Sequence, residues 1–100
     1  MKLLTKEIEK KLPKLYSQEH EENPVIIVKF FCPWSNWKWF SYEGEKQENG
    51  DWLFFGMVYG DEHEIGYFLL SELEGVNGPF GLKIERDKYF GYEHRLNEFR

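Results

Sequence analysis

The stretch VIIVKFFCPWSNWKWFSY, residues 25–42, decides the fold that we predict for this chain. It is an apolar run, a break at Pro33 and a second aromatic run, and it holds three of the four tryptophans. When the first run is extended, apolar side chains fall on both of its faces, which is typical of a central strand covered on both sides. We therefore predict a central β-hairpin, with strands at residues 25–31 and 37–43.

The composition is that of one small globular domain. The chain has 100 residues, 19% of them aromatic, and a formal net charge of −5. An aromatic-rich chain without alanine favours strands over helices. The acidic charge argues against a general nucleic-acid or anionic-lipid surface and permits an acidic face that meets a basic partner.

The single cysteine, Cys32, excludes an internal disulfide and fits a reducing compartment. No run of about 20 apolar residues is present, so we expect no membrane segment. The expected location is the cytoplasm.

Outward from the hairpin, residues 3–16 are predicted to form a helix, because Leu4, Ile8 and Leu12 recur at helical spacing. Thr5 is its expected N-cap, and Pro13 is expected to end or tighten it. Residues 17–24 form a polar linker. Beyond the hairpin, strands are predicted at residues 52–59 and 64–70, which makes an antiparallel meander over residues 25–70.

Two glycines lie inside the third and fourth predicted strands. Gly56 and Gly66 are expected to mark a bulge or the close approach of a large aromatic ring from a neighbour.

Residues 71–90 are predicted to contain a short helix with Ser71 as N-cap and Gly75 as its stop, then a Gly/Pro loop and a C-terminal segment. Residues 91–100 are expected to be a frayed tail. The predicted fold class is α+β, in a single domain over residues 1–100. An N-terminal helix packs on a four- to five-stranded antiparallel sheet, and a short helix follows the fourth strand.

The aromatic turn is the first candidate site, with Trp34, Ser35, Asn36 and Trp37 as partner-binding residues. Tryptophan is prominent among the hot spots of protein interfaces. The same rings could instead fill the core or stack single-stranded bases, although base stacking normally accompanies a basic groove. Trp34, in the turn, is the tryptophan expected to be most exposed.

The second candidate site is a charged group made of Glu72, Glu85, Arg86 and Asp87. These side chains could surround a small-ligand pocket rimmed by the glycine-rich loop 78–81. The alternative is a buried Glu–Arg pair that links the short helix to the C-terminal segment.

A third charged group, residues 61–64, falls at a predicted turn where neighbouring side chains alternate in direction, so a solvated turn is favoured. We predict no catalytic residue, no metal site and no cofactor.

A family resemblance is carried by three stretches of the chain. They are LLTKEIEKKLPKLYSQE, VKFFCPWSNWKWFSYEGE and residues 51–90. The most specific pieces are PWSNWKW, EIGYFLLSELE and GLKIERD, at residues 33–39, 64–74 and 81–87. In these the chain resembles the bacterial domain-of-unknown-function family numbered 2958. That family has no assigned activity. Its usual setting, beside plasmid, phage and conjugative-element genes, implies a role in mobile-element biology.

The leading hypothesis is therefore a non-enzymatic protein-binding accessory factor of a mobile element, one that modulates host defence. The first alternative is a small-ligand binder or enzyme with a pocket near Glu72, Glu85 and Arg86. The second is a single-stranded nucleic-acid binder that uses the aromatic turn. Protein is the expected partner, and the oligomeric state stays open.

Overall fold

The computed structural model describes residues 2–100, and its strands form one antiparallel sheet of mixed α+β architecture. The strand order is β4-β3-β2-β1-β5. The elements are, in chain order, α1 (Lys6–Lys11), β1 (Val28–Phe31), β2 (Lys38–Lys46), β3 (Trp52–Tyr59), β4 (His63–Leu69), α2 (Leu70–Glu74), a 3₁₀ helix (Pro79–Gly81), β5 (Glu85–Arg86) and a second 3₁₀ helix (Leu96–Glu98). Across residues 2–100, no helix has the length and apolar character that a membrane crossing requires.

One face of the sheet, here called the helix-side face, packs against α1 and α2. Ile8 of α1 and Leu73 of α2 join Phe30, Phe54 and other buried apolar side chains in one cluster. This packing is the predicted arrangement of helix on sheet. The helical segments bury their apolar side chains here because the strands offer a matching apolar surface.

Helix α1 begins after its predicted N-cap and ends just before Pro13. The Thr5 hydroxyl accepts a hydrogen bond from the Ile8 N–H at 3.2 Å, which confirms the N-cap. The helix runs from Lys6 to Lys11, so the expected stop near Pro13 is confirmed and the predicted span of residues 3–16 is too long at both ends. Leu12 is already extended, with ψ at 120°, because the ring of Pro13 disfavours helical geometry in the residue before it.

The opposite face, here called the tail-side face, is covered by the C-terminal residues 90–100. Leu96 is fully buried, and the ring of Phe99 stacks on Phe40 with centroids 4.2 Å apart. The backbone of the tail is also hydrogen-bonded to the segment before β1, since the Ile26 N–H donates to the His94 carbonyl at 2.8 Å. The prediction of a frayed tail is therefore wrong, because the apolar second face of the central hairpin needs a cover.

Several boundaries differ from the sequence prediction. Strand β1 begins at Val28 and not at residue 25, since Val25 leaves the sheet to bridge Arg95 of the tail. Strand β3 has the predicted bounds, whereas β2 runs on to Lys46.

Ser71 is not the N-cap of α2. Its hydroxyl donates to the Asp51 carboxylate at 2.5 Å, and the Glu72 carboxylate accepts the Leu69 N–H at 2.8 Å in its place. Gly75 does follow the last helical residue, Glu74, as the C-cap, so the predicted stop is confirmed.

Candidate functional site

A β-bulge in β2 shapes the tail-side face. Ser41 pairs with Gly56 and Glu43 with Phe55, so Tyr42 is the extra residue without a partner in β3. The Ser41 hydroxyl donates to the Glu43 carbonyl at 2.7 Å, which closes the bulge on itself. A bulge bends its strand and redirects the side chains that follow it.

Gly56 is what allows β2 to bulge against β3. A Cβ atom at this position would lie 1.8 Å from the Phe40 carbonyl oxygen, a distance that no real contact reaches. The close approach predicted at Gly56 exists, but it is made by backbone and not by an aromatic ring. Its cross-strand partner Gly66 has open space around it, so the same expectation is wrong there.

The bulge brings two successive side chains, Tyr42 and Glu43, to the tail-side face. Both line a cavity of about 750 Å³, whereas side chains of a regular strand would point to opposite faces. The lining residues are Tyr16, Gln18, Glu19, Glu21, Glu22, Tyr42, Glu43, Phe55, Ile65, Tyr67, Asn97 and Arg100. We call this cavity the bulge pocket.

Glu43 is the anchor of the bulge pocket. Its side chain is only 3% exposed, and its two carboxylate oxygens accept the N–H groups of Tyr16 and Gln18 at 2.9 and 2.8 Å. Charged acceptors make stronger hydrogen bonds than neutral ones. They hold Tyr16 in the left-handed region, with φ at 70°, where a bulky residue is rarely found. Glu43 therefore fixes residues 16–18, where the predicted helix was expected to meet the predicted linker, as one wall of the pocket.

Four aromatic rings form an arc along the pocket. The ring of Tyr16 meets that of Tyr67 edge-on with centroids 6.5 Å apart, and Tyr67 lies 4.7 Å from Phe55. Phe55 in turn meets Tyr42 edge-on at 5.6 Å. The arc presents ring surfaces to an open cavity, since Tyr67 is 49% exposed.

The electrostatic character of the pocket is negative. Glu19, Glu21 and Glu22 line it together with Glu43, and Arg100 is the one cation among the described lining residues. A hydrogen bond with the Tyr16 side chain raises the pKa of Tyr67 to about 12, and the negative charges of Glu43 and Glu19 add to the rise. The pKa of Tyr42 is also raised, first by burial and then by the charge of Glu43. Both shifts have the sign expected where a further negative charge is disfavoured.

The predicted aromatic turn is present, but its two tryptophans lie in different surroundings. Trp34, the residue expected to be most exposed, is partly buried with its ring against Gly78, while Trp37 is 40% exposed and lies over Gly60. Ser35 and Asn36 are exposed at the tip, and the Ser35 hydroxyl accepts the Trp37 N–H at 3.2 Å. The glycines at positions 60 and 78 are thus contact surfaces for indole rings.

The predicted charged group does not converge on one site. Glu72 caps α2 beside β4, whereas Glu85 and Arg86 lie in β5 at the other edge of the sheet. Successive residues of a strand point to opposite faces, so Glu85 and Arg86 diverge.

Arg86 and Asp87 do line one cavity, of about 270 Å³, beside α1. Asp87 pairs with Lys29 at 3.4 Å, and the Arg86 guanidinium donates to the Lys2 carbonyl. Over residues 2–100, no three His, Cys, Asp or Glu side chains are grouped so that they could hold a metal ion.

Sequence reasoning missed the bulge pocket, although one signal for it was present. A glycine inside a strand is a known mark of a bulge, and Gly56 identifies the position. Nothing local marks Glu43 or Tyr16, which lie 27 residues apart and meet only in the folded chain.

Comparison with known proteins assigns a family and no activity. Neither the curated proteins nor the solved structures include a match to the chain. A family model described as a protein of unknown function (DUF2958) matches residues 3–100, which includes the tail that covers the second face. The chain belongs to the DUF2958 family.

Proposed function

We propose that this chain is a non-enzymatic protein-binding factor whose bulge pocket receives a cationic side chain, a lysine or an arginine, from a basic partner. The observation that carries the proposal is the lining of the pocket. Four aromatic rings and four carboxylates surround one open cavity of about 750 Å³. That volume lies within the range of ordinary ligand sites.

The chemistry of the lining selects for a cation. Ring faces attract an ammonium or guanidinium group with about 0.5–1 kcal/mol at exposed sites and about 2 kcal/mol when the cation is desolvated. Carboxylates around the rings add attraction that salt weakens. The net charge of −5 also favours the approach of a basic protein.

The biological setting of this proposal comes from the family resemblance. We place the factor in the cytoplasm of a bacterium that carries a plasmid, phage or conjugative element, with a basic protein of host defence as its target. The buried free thiol of Cys32 fits a reducing compartment. The proposal names no enzymatic step.

Calorimetric titration of the protein with a short arginine-containing peptide tests the pocket. A citrulline peptide of the same shape and without the charge is the ligand control. We expect the arginine peptide to bind and the citrulline peptide to bind at least about fivefold more weakly, as the loss of about 1 kcal/mol requires.

Tyr67→Ala is the matched protein variant, and Tyr89→Ala is its control, because Tyr89 is exposed outside the bulge pocket. Tyr67→Ala should reduce arginine-peptide affinity about fivefold, and Tyr89→Ala should leave it unchanged. Equal affinity for both peptides, or equal loss in both variants, would overturn the proposed pocket.

Transfer assays test the setting separately. Wild type expressed in a recipient bacterium should raise the establishment of a conjugative plasmid or phage, and Tyr67→Ala should not. A gain that is the same for both proteins would place the activity outside the bulge pocket.

A further inference from the structure

The free edge of the sheet suggests how the basic partner is held. We infer that an extended basic segment of the partner adds to β4 as a further strand, an inference that rests on the proposed function. In the described chain, β4 is an end strand of the sheet, and no other strand pairs with its outer side.

The outward groups of β4 can be assigned from one hydrogen bond. The Leu69 N–H donates to the Glu72 carboxylate at 2.8 Å, so it points away from β3. In an antiparallel pair, every second residue directs both its N–H and its C=O away from the partner strand. The backbone N–H and C=O groups of His63, Ile65 and Tyr67 therefore point outward. At Leu69 the outward N–H is already bonded to Glu72, so the row of available donors stops at Tyr67.

The two edge strands of the sheet differ in length and in their protection against further pairing. At the β5 edge, the strand has two residues, and a turn follows in which the Phe90 N–H donates to the Asp87 carbonyl at 3.3 Å. Strand β4 has seven residues and carries no proline and no lysine. Proteins commonly protect an edge with such residues or with short strands. The β4 edge lacks these protections, as a strand-docking site requires.

A cavity flanks β4 on each face. The bulge pocket lies on the tail-side face, and a second cavity of about 490 Å³ includes Trp37, Val58 and Glu64. Both cavities share Ile65 and Tyr67. An added strand directs alternate side chains to opposite faces, so it would send them into the two cavities in turn.

The negative charge of the two cavities favours a basic segment over a second copy of this chain as the strand that adds to β4. Seven carboxylates line the two cavities: Glu19, Glu21, Glu22, Glu43, Asp61, Glu62 and Glu64. A second copy docked at the same edge would bring two such sets together, which like-charge repulsion opposes. A basic extended segment neutralises them instead.

Backbone methylation of a peptide tests the added strand directly. The probe is a short peptide that alternates arginine and threonine and matches β4 in length. N-methylation at every second residue removes the donors on one side of an extended peptide and leaves those on the other side. We expect one methylation pattern to weaken binding about tenfold and the complementary pattern to leave it nearly unchanged. Equal affinity for both patterns would overturn the inference.

Amide hydrogen exchange separates this inference from the proposed function. Addition of a strand should protect the N–H groups of His63, Ile65 and Tyr67 and leave that of Gly66, already paired with β3, unchanged. Peptide binding without this protection would overturn strand addition and leave the cation pocket standing. No binding of the arginine peptide would overturn both. Concentration-dependent protection of the free protein would identify a second copy as the occupant and overturn the inference.

Ile65→Pro provides a variant test on the protein. Proline removes an N–H that points outward, so the sheet itself keeps its hydrogen bonds. We expect circular dichroism to be unchanged and peptide affinity to fall about tenfold. Ile65→Thr, which keeps the N–H and shortens the side chain, should retain most of the affinity. Equal loss in both variants would point to the side chain and count against strand addition.

Discussion

The two faces of the sheet are closed in different ways. The helix-side face is covered by α1, α2 and the residues around them, which bury Leu4, Ile8 and Leu73 against the strands. The tail-side face is covered by residues 90–100, which include only a single 3₁₀ turn. That cover leaves the bulge pocket open between Arg100, residues 16–22 and β4.

The difference shows where a small domain can place a binding site. A helix contributes a continuous apolar side and closes the face that it packs on. A tail without regular structure covers only what its few large side chains reach, here mainly Phe40, Met57 and Ile26. The bulge directs the buried side chains of Tyr42 and Glu43 to this face, where both line a cavity with a negative charge.

The largest expected effect comes from breaking the bulge. Gly56→Ala places a Cβ atom 1.8 Å from the Phe40 carbonyl oxygen, so β2 or β3 must move. We expect the free energy of unfolding to fall by about 4 kcal/mol, above the usual range of about 1–3 kcal/mol for overpacking. Thermal or urea denaturation measures the change.

Gly66→Ala is the matched control, because Gly66 faces Gly56 across the β3–β4 pair and has nothing within 4 Å of its Cβ position. The free energy of unfolding of the Gly66→Ala variant should stay within about 0.5 kcal/mol of the wild-type value. If the two alanine variants were equally stable, the bulge would not depend on the glycine at position 56.

The next largest expected effect is the loss of stability when the segment that covers each face is weakened. Leu96→Ala removes a fully buried side chain from the tail, and Leu4→Ala removes one that is 3% exposed on the helix side. We expect each to lower the free energy of unfolding by about 3 kcal/mol, measured by urea denaturation. A tail that contributed little would give near-zero loss for Leu96→Ala alone.

The smallest effect is a titration within the bulge pocket. The hydrogen bond with Tyr16 raises the pKa of Tyr67 to about 12, whereas an unfolded tyrosine titrates near 10. Between these values the unfolded chain gives up the proton and the folded chain keeps it. The contribution of this hydrogen bond to the free energy of unfolding is therefore intact below about pH 10 and is lost as the pH rises towards about 12.

Tyr16→Phe removes the hydroxyl partner and should lower the pKa of Tyr67 towards about 10. The ultraviolet absorbance of tyrosinate, followed against pH, measures this change with Tyr89→Phe as control, since Tyr89 is almost fully exposed. An unchanged titration in Tyr16→Phe would contradict the hydrogen bond between the two side chains.

Much of the fold could be predicted from the sequence because its determinants are local. Apolar and aromatic runs between turn signals identified the strands, and the bounds of β3 were correct. Thr5 and Gly75 marked a helix start and a helix end, since capping depends on residues a few positions away. Other errors fall where distant segments compete for the same groups, as at Ser71, which bonds Asp51 across 20 positions.

The candidate site could not be predicted in the same way. The sequence pointed to the aromatic turn and to Glu72, Glu85, Arg86 and Asp87, which are adjacent or grouped along the chain. The bulge pocket joins residues from the linker, three strands and the tail. The hydrogen bonds of Glu43 with Tyr16 and Gln18, 27 and 25 positions away, and the contact of Tyr16 with Tyr67 bring its walls together.

By itself, the sequence determined an α+β domain with a meander of strands, an apolar central hairpin and an acidic surface. These follow from periodicity and composition, which act over a few residues at a time. The tertiary structure alone decided that a tail covers the second face, that β2 bulges against Gly56 and that β4 keeps a free edge. Each of these depends on which distant segments meet, and burial and backbone hydrogen bonding settle that only when the whole chain packs.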